Sequence, residues 1–170
     1  MIAALLLALG VAAAPATCPV ERAAYRLRGQ PGFTAEFHPV PTNVDWPLGI
    51  ALSIHAAKTA RTYWFLPWNG GTDGRLHLRW VRVSGDRLDG KSIALDQDLL
   101  LIDQNNDFIA RVPPRGGEAP ARFVVPGFAR QLWYATVVDE RDSMTQAFFE
   151  LGSCAAQSNT RAEVELPPVG

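Results

Sequence analysis

The chain has 170 residues, of which 48% are hydrophobic and 19% charged, and its formal net charge at pH 7 is −1. This length suits a single domain with a core of its own. The near-neutral charge excludes sequence-independent binding to nucleic acid, which needs a cationic face, so no nucleic-acid partner is expected.

The N-terminus reads MIAALLLALGVAAAPATC. An apolar run over residues 2–11, followed by Ala-Pro-Ala at 14–16, is typical of a secretory signal peptide. We therefore assign residues 1–16 to a signal peptide and expect a periplasmic or secreted protein. The apolar run is shorter than the ~20 residues that cross a bilayer, so the chain is not expected to span a membrane once the signal is removed.

Two cysteines, Cys18 and Cys154, lie at opposite ends of the remaining sequence. In an oxidising compartment such an even pair predicts one disulfide bond, and two buried free thiols are the alternative. A bridge across a loop this long stabilises the fold by about 5 kcal/mol at most, through the chain entropy of the unfolded state. We assign residues 17–154 to a single β domain and residues 155–170 to a weakly ordered C-terminal tail.

Short segments of alternating hydrophobicity, separated by Gly, Pro and Asn, fill the domain. Residues 50–56 (IALSIHA) show the period of two that is typical of a half-buried strand. This pattern predicts an all-β fold, an antiparallel β-sandwich or β-barrel of about 8–10 strands. The predicted strands are 22–28, 33–38, 50–56, 61–67, 75–83, 98–103, 121–125, 131–138 and 145–151, with a short helical turn near 92–98.

One segment matches a phosphate-binding motif. Residues 85–92 (GDRLDGKS) fit the Walker A pattern, and Asp103 ends an apolar run that resembles a Walker B strand. Such a motif needs a buried parallel strand before it and a crossover helix after it. Residues 75–83 carry Arg and His at alternate positions, and only residues 93–98 separate the motif from the next apolar run. We therefore interpret the segment as a loop and expect no nucleotide.

Metal sites are not predicted either. His38, His55 and His77 lie on or beside predicted strands without the close spacing of metal ligands. Residues 103–107 (DQNND) mimic the start of a calcium loop, but Phe108 stands where that loop needs Gly, so an Asx-rich turn is expected. No cofactor is predicted.

The aromatic residues give the main indication of function. Residues 61–67 (RTYWFLP) and 131–138 (QLWYATVV) are apolar on both faces, whereas an antiparallel strand usually exposes one face to water. Packing beneath loops explains such strands, and the alternative is an aromatic-lined pocket for a sugar, peptide or lipid. The candidate ligand-binding residues are Trp64, Trp68 and Trp133.

The sequence thus predicts an exported, non-enzymatic β domain that binds a small molecule, a glycan or an envelope protein through an aromatic-bearing surface. One alternative is a cell-envelope hydrolase whose site assembles in three dimensions from His55, His77 and nearby Asp residues. Ser53 lies on the same strand face as His55, but only geometry can identify such a pair as a catalytic dyad. The other alternative is a structural accessory subunit that uses the two-sided strands as an interface.

Overall fold

The computed structural model describes residues 17–70, 74–83, 96–135, 141–164 and 166. Eight antiparallel strands follow one another around a closed barrel, and β1 pairs with β8 to complete it. The all-β prediction is confirmed, and the architecture is a barrel. The strands are β1 (Ala23–Leu27), β2 (Phe33–Pro39), β3 (Ile50–Ala56), β4 (Arg61–Asn69), β5 (Leu76–Val81), β6 (Gln97–Ile102), β7 (Arg122–Val124) and β8 (Phe149–Cys154).

Apolar side chains from alternate positions of the strands fill the barrel interior. An eight-stranded barrel is just wide enough for side chains to fill it or for one small ligand to enter. Here aromatic rings occupy the axis and meet mostly edge to face, as Tyr25 and Phe123 do at 5.0 Å between centroids. The fully buried aromatic rings of this core are those of Tyr25, Phe37, Phe65, Phe123, Phe128 and Phe149, and Phe33 and Tyr63 also belong to it.

A helix, α1 (Phe128–Ala135), closes one end of the barrel between β7 and β8. The prediction of a strand over 131–138 is therefore wrong for residues 131–135, and residues 136–138 lie outside the described part of the chain. Gly127, at φ +86°, turns the chain into the helix. Phe128 and Leu132 are buried one helical turn apart, and this spacing of four outweighs the apparent alternation of the segment.

The disulfide bond between Cys18 and Cys154 is confirmed, and its Cα atoms lie 5.8 Å apart. It lies at the end of the barrel opposite α1, next to a short 3₁₀ helix, Val20–Arg22. The backbone of Cys18 also accepts a hydrogen bond from Ala119 N, so the N-terminal segment is held both covalently and by the long β6–β7 loop.

The segment after β8 crosses the outer wall of the barrel. Asn159 Nδ2 donates to the Phe37 carbonyl oxygen at 2.9 Å, and Ala162 N donates to that of Pro39 at 3.1 Å. Whether residues 155–170 form a weakly ordered tail in solution stays a prediction. A second apolar cluster forms beneath this segment from Val40, Ala51, Leu66, Val81, Ala162 and Val164, with Trp46 and Trp64 against it.

The Walker A match at residues 85–92 and most of the helical turn predicted near 92–98 lie outside the described residues. Of that turn, residues 97–98 belong to β6. The strands on either side of the motif, β5 and β6, pair antiparallel, which is incompatible with the parallel crossover that a phosphate-binding loop requires. Asp103 Oδ1 accepts hydrogen bonds from the backbone N–H groups of Asn105 and Asp107, so the expected Asx turn is present.

Within the described ranges, no helix has the length and apolar character needed to cross a bilayer. The predicted signal peptide, residues 1–16, is outside those ranges.

Candidate functional site

The three tryptophans singled out by the sequence do not meet in one place. Trp64 lies on the outer wall of β4, with its ring 4.8 Å from that of His38. Trp68, four residues further along the same face, stacks on His77 at 4.9 Å between centroids. Trp133 lies on α1, at the end of the barrel opposite the β4–β5 turn, and is 49% exposed.

Trp68 belongs to a row of side chains that crosses three strands. The register pairs Trp68 of β4 with His77 of β5, and His77 with Asp98 of β6. His77 Nδ1 lies 3.6 Å from Asp98 Oδ1, and Arg75 Nη1 lies 4.0 Å from Asp98 Oδ2. The row therefore presents an aromatic ring, an imidazole and a carboxylate side by side on the outer wall.

A groove of about 210 Å³ lies beside this row, and we call it the aromatic groove. Its walls come from the β4–β5 turn, β5, β6 and the β6–β7 loop, and they include Arg75, Asp98, Leu100, Phe108 and Ile109. Phe108 is 72% exposed and Leu100 is 41% exposed. These two exposed apolar side chains make the groove the candidate binding surface of the described residues.

Local backbone geometry holds Phe108 in this position. After β6 the Asx turn at Asp103 reverses the chain, and Asn106 takes a positive φ of 72°. Phe108 then forms an isolated bridge with Ile102, and Ile109 N donates to the Leu101 carbonyl oxygen at 2.9 Å. The turn therefore brings the chain back beside β6, so that Phe108 lies next to the strand that carries Leu100.

Sequence reasoning did not identify Phe108 as a candidate binding residue. It treated Phe108 only as the residue that breaks a calcium loop. A large apolar side chain directly after a turn rich in Asp and Asn is the signal that was available, because such a residue has no neighbouring strand positions to bury it.

A second polar cluster lies under the segment that follows β8. His38 Nε2 is 2.8 Å from Ser53 Oγ, and His38 Nδ1 is 3.0 Å from the Thr160 carbonyl oxygen. A carbonyl oxygen only accepts, so Nδ1 carries the proton and Nε2 accepts from the Ser53 hydroxyl. Burial lowers the pKa of His38, and the Thr160 carbonyl and the Glu36 carboxylate oppose that shift without outweighing it.

This cluster has the connectivity of a nucleophile, a base and a group that orients the base. His55, which shares a strand face with Ser53, instead contacts Thr62 Oγ1 through Nδ1 at 3.1 Å. His38 is 9% exposed and Ser53 is 6% exposed, so both are covered in this conformation. The visible effect of the cluster is to fasten the segment around Thr160 to the barrel wall.

A buried carboxylate, that of Asp142, holds the chain at the end of the barrel that α1 closes. Asp142 is 1% exposed. It accepts from the Tyr63 hydroxyl at 2.5 Å and from Thr59 Oγ1 at 2.9 Å. Burial, followed by the hydrogen bond to Asp142, raises the pKa of Tyr63 above its ordinary range, so the phenol remains a donor and the cluster is structural.

Each of the three histidines has a different partner. His38 contacts Ser53, His55 contacts Thr62 and His77 contacts Asp98. Across the part of the chain that the structure describes, no group of three or more His, Cys, Asp or Glu side chains is arranged to hold a metal ion.

Fold and site together define a disulfide-linked, eight-stranded up-and-down β-barrel with a filled interior and solvent-facing grooves. In comparisons with known proteins, no family model, no curated protein and no solved structure matches the chain.

Proposed function

We propose that the protein is an exported, non-enzymatic binding module that recognises a sugar-sized ring in the aromatic groove. The observation that supports this most is the exposure of Phe108, at 72%, beside Leu100 in a groove of about 210 Å³. Export is supported by the N-terminal sequence pattern and by a disulfide bond of the kind that persists in oxidising compartments.

The size and composition of the groove favour a small amphipathic ligand. Its volume is below the ~300 Å³ at which pockets for drug-sized ligands begin, so it suits one ring. A sugar ring has an apolar face and a rim of hydroxyl groups. Phe108 and Leu100 supply an apolar floor for the face, while Asp98 accepts and Arg75 donates hydrogen bonds at the rim.

The charged groups of the groove suit binding better than acid–base catalysis. Arg75 and Asp98 face each other, and their side chains are 67% and 46% exposed. Catalytic acids and bases are typically desolvated in clefts, where burial tunes their pKa. Exposed, mutually paired charges retain their hydration and instead orient a polar ligand.

Phe108→Ala tests the proposal. A panel of monosaccharides and disaccharides is titrated into the mature protein and followed by amide chemical shifts in 1H–15N spectra. We expect one member of the panel to shift amides of β5, β6 and the β6–β7 loop, and Phe108→Ala to weaken binding about tenfold, which corresponds to about 1.4 kcal/mol.

The matched control is Tyr134→Ala, because Tyr134 is also an exposed aromatic residue, at 76%, but lies on α1 at the other end of the barrel. This variant should bind as the unaltered protein does. If no sugar of the panel produces saturable shifts, or if both variants lose binding equally, the aromatic groove is not a sugar site.

A hydrolase is the second candidate, and it is supported by the 2.8 Å contact between His38 Nε2 and Ser53 Oγ. Activity requires the segment around Thr160 to move away, since it covers the pair. A fluorophosphonate probe tests this. Ser53 Oγ would form a bond to phosphorus, fluoride would leave, and His38 Nε2 would take the hydroxyl proton. Labelling that is lost in Ser53→Ala favours the hydrolase, and absence of labelling excludes it.

A further inference from the structure

A second groove, of about 510 Å³, lies at the disulfide end of the barrel and is distinct from the aromatic groove. It is bounded by the β2–β3 loop, residues 40–49, by Pro114 and Arg115 of the β6–β7 loop, and by Arg161 of the segment after β8. We call it the cationic groove. Three separate parts of the chain meet there, and two of them contribute an arginine.

We propose that the cationic groove binds a small organic anion, with a carboxylate or phosphate group held between the guanidinium groups of Arg115 and Arg161. Within the described residues, neither side chain makes a hydrogen bond or an ion pair. Planar guanidinium groups match the geometry of carboxylate and phosphate oxygens and form the stronger, charge-assisted class of hydrogen bond.

Backbone contacts hold Arg115 beside the groove. Arg115 N donates to the Leu48 carbonyl oxygen at 2.9 Å, which ties the β6–β7 loop to the β2–β3 loop across the groove. The nearby Glu21 carboxylate accepts from Gly116 N at 2.8 Å. Glu21 is thus engaged by the backbone, and the Arg115 guanidinium group remains available to a ligand.

Arg161 is held from both sides along the chain. The carbonyl of Thr160 accepts from His38 Nδ1 at 3.0 Å, and Ala162 N donates to the Pro39 carbonyl oxygen at 3.1 Å. The polar cluster on the barrel wall therefore positions Arg161. This gives the His38–Ser53 pair a functional consequence that does not require catalysis.

Prolines form much of the rest of the groove wall. Pro41, Pro47 and Pro114 line the groove with Leu48, and prolines restrict the backbone conformations that a loop must lose on binding. Gly49 adopts φ +68°, and a Cβ at this position would lie 3.1 Å from Thr42 Cγ2. The groove thus offers an apolar seat for the body of the ligand next to two cationic groups, a combination that favours an organic anion.

Titration of the mature protein with inorganic phosphate, succinate and the neutral analogue succinamide tests this inference. The readouts are the amide shifts of residues 48, 49 and 115 and the Nε–Hε signals of the two arginines. We expect saturable shifts with phosphate, succinate or both, and none with succinamide. Phosphate alone indicates a phosphate ligand, succinate alone a carboxylate ligand, and both indicate a general oxyanion site.

Arginine variants locate the binding. Arg115→Gln and Arg161→Gln should each weaken anion binding at least tenfold, and Arg115→Lys should fall between, because lysine keeps the charge but loses the planar fork. Arg130→Gln is the matched control, since Arg130 is an exposed arginine on α1 at the opposite end. Phe108→Ala should leave anion binding intact, which separates this inference from the proposed sugar site.

Two results would overturn the inference. One is the absence of saturable shifts with either anion, and the other is an equal loss of binding in Arg130→Gln, which indicates a diffuse counterion effect. Thermal unfolding checks that each variant is folded. Both groove arginines are exposed, and substitutions at such positions usually change stability by less than about 0.5 kcal/mol.

Discussion

His38 Nε2 accepts a hydrogen bond from Ser53 Oγ at 2.8 Å across the β2–β3 ladder, on the outer wall of the barrel. The other ring nitrogen donates to Thr160, so a single side chain joins the barrel to the segment after β8. The hydrogen bonds of Asn159 to the Phe37 carbonyl oxygen and of Ala162 to that of Pro39 attach the same segment on either side of this link.

Ser53→Ala should destabilise the protein by about 1–2 kcal/mol, because it leaves a buried imidazole nitrogen without its donor. Urea unfolding followed by tryptophan fluorescence measures the change. Ser143→Ala is the control, since Ser143 is exposed and its substitution should cost less than about 0.5 kcal/mol. Equal stability of the two variants would show that the hydroxyl is not part of a buried network.

The link should weaken in mild acid. Burial lowers the pKa of His38 below its ordinary value of 6.5, so the folded protein binds fewer protons there than the unfolded chain does. The stability contributed by neutral His38 is therefore fully present above pH 6.5 and is lost as the pH falls from 6.5 through the lower folded pKa. Proton binding to Nε2 also displaces the Ser53 hydroxyl as donor, although Glu36, 3.8 Å away, partly compensates for the charge.

Hydrogen exchange of residues 159–164 at pH 7 and pH 5 measures this effect. We expect faster exchange of the Ala162 amide, which bonds to Pro39, at the lower pH after correction for intrinsic exchange rates. His38→Gln should remove the pH dependence. If the segment exchanges equally at both values in the unaltered protein, His38 does not govern its attachment.

Asp142→Asn should lower the free energy of unfolding by about 2–4 kcal/mol. The carboxylate accepts from two hydroxyl groups, and the amide of Asn would place its own NH2 donor against one of those hydroxyl groups. Tyr63→Phe removes only one of these bonds and should cost about 1–2 kcal/mol. Asp45→Asn is the control, because Asp45 is exposed in the β2–β3 loop. Urea unfolding gives the ranking, and an Asp142→Asn protein as stable as the Asp45 variant would contradict the buried-cluster interpretation.

Cys18→Ser combined with Cys154→Ser should lower the free energy of unfolding by up to about 5 kcal/mol, because the bridge closes a loop with a sequence separation of 136 residues. The measurement is the urea midpoint of the double variant against the oxidised protein. Reduction of the unaltered protein with dithiothreitol should give the same midpoint. A variant as stable as the oxidised protein would mean that the N-terminal segment is held by its backbone contacts alone.

Much of the barrel is predictable because its signals are local. Residues 50–56 form β3 as predicted, and the paired cysteines are bonded. The strand is not half-buried, because Ala51 on its outer face packs in the second apolar cluster. The choice between a sandwich and a barrel is different, because closure depends on β1 pairing with β8, for example Leu27 with Phe149. Alternation shows only which face is buried, and it carries no information about which distant strand completes the sheet.

The candidate site was less predictable for the same reason. Ser53 meets His38 rather than His55 because the β2–β3 register, not sequence proximity, decides which outer side chains are neighbours. The neighbours of Trp68, His77 and Asp98, are likewise set by the register of β4, β5 and β6 and not by a short sequence pattern. Arg115 and Arg161 come together from a loop and from the segment after β8, which no short-range pattern connects.

The strand predicted over residues 131–138 was the main error in the predicted fold, because residues 128–135 form α1. Phe128→Ala tests whether the burial of Phe128 and Leu132 explains the helix. Phe128 is fully buried, with its ring 5.2 Å from that of Phe65 and 5.5 Å from that of Tyr63. Truncation of such a side chain costs about 3–5 kcal/mol. Tyr134→Ala should cost less than about 0.5 kcal/mol, because Tyr134 points to solvent from the helix. A strand over 131–138 would instead place Leu132 and Tyr134 on one face and make both substitutions at 132 and 134 costly. Urea unfolding of Phe128→Ala, Leu132→Ala and Tyr134→Ala therefore distinguishes a spacing of four from a spacing of two at the mouth of the barrel.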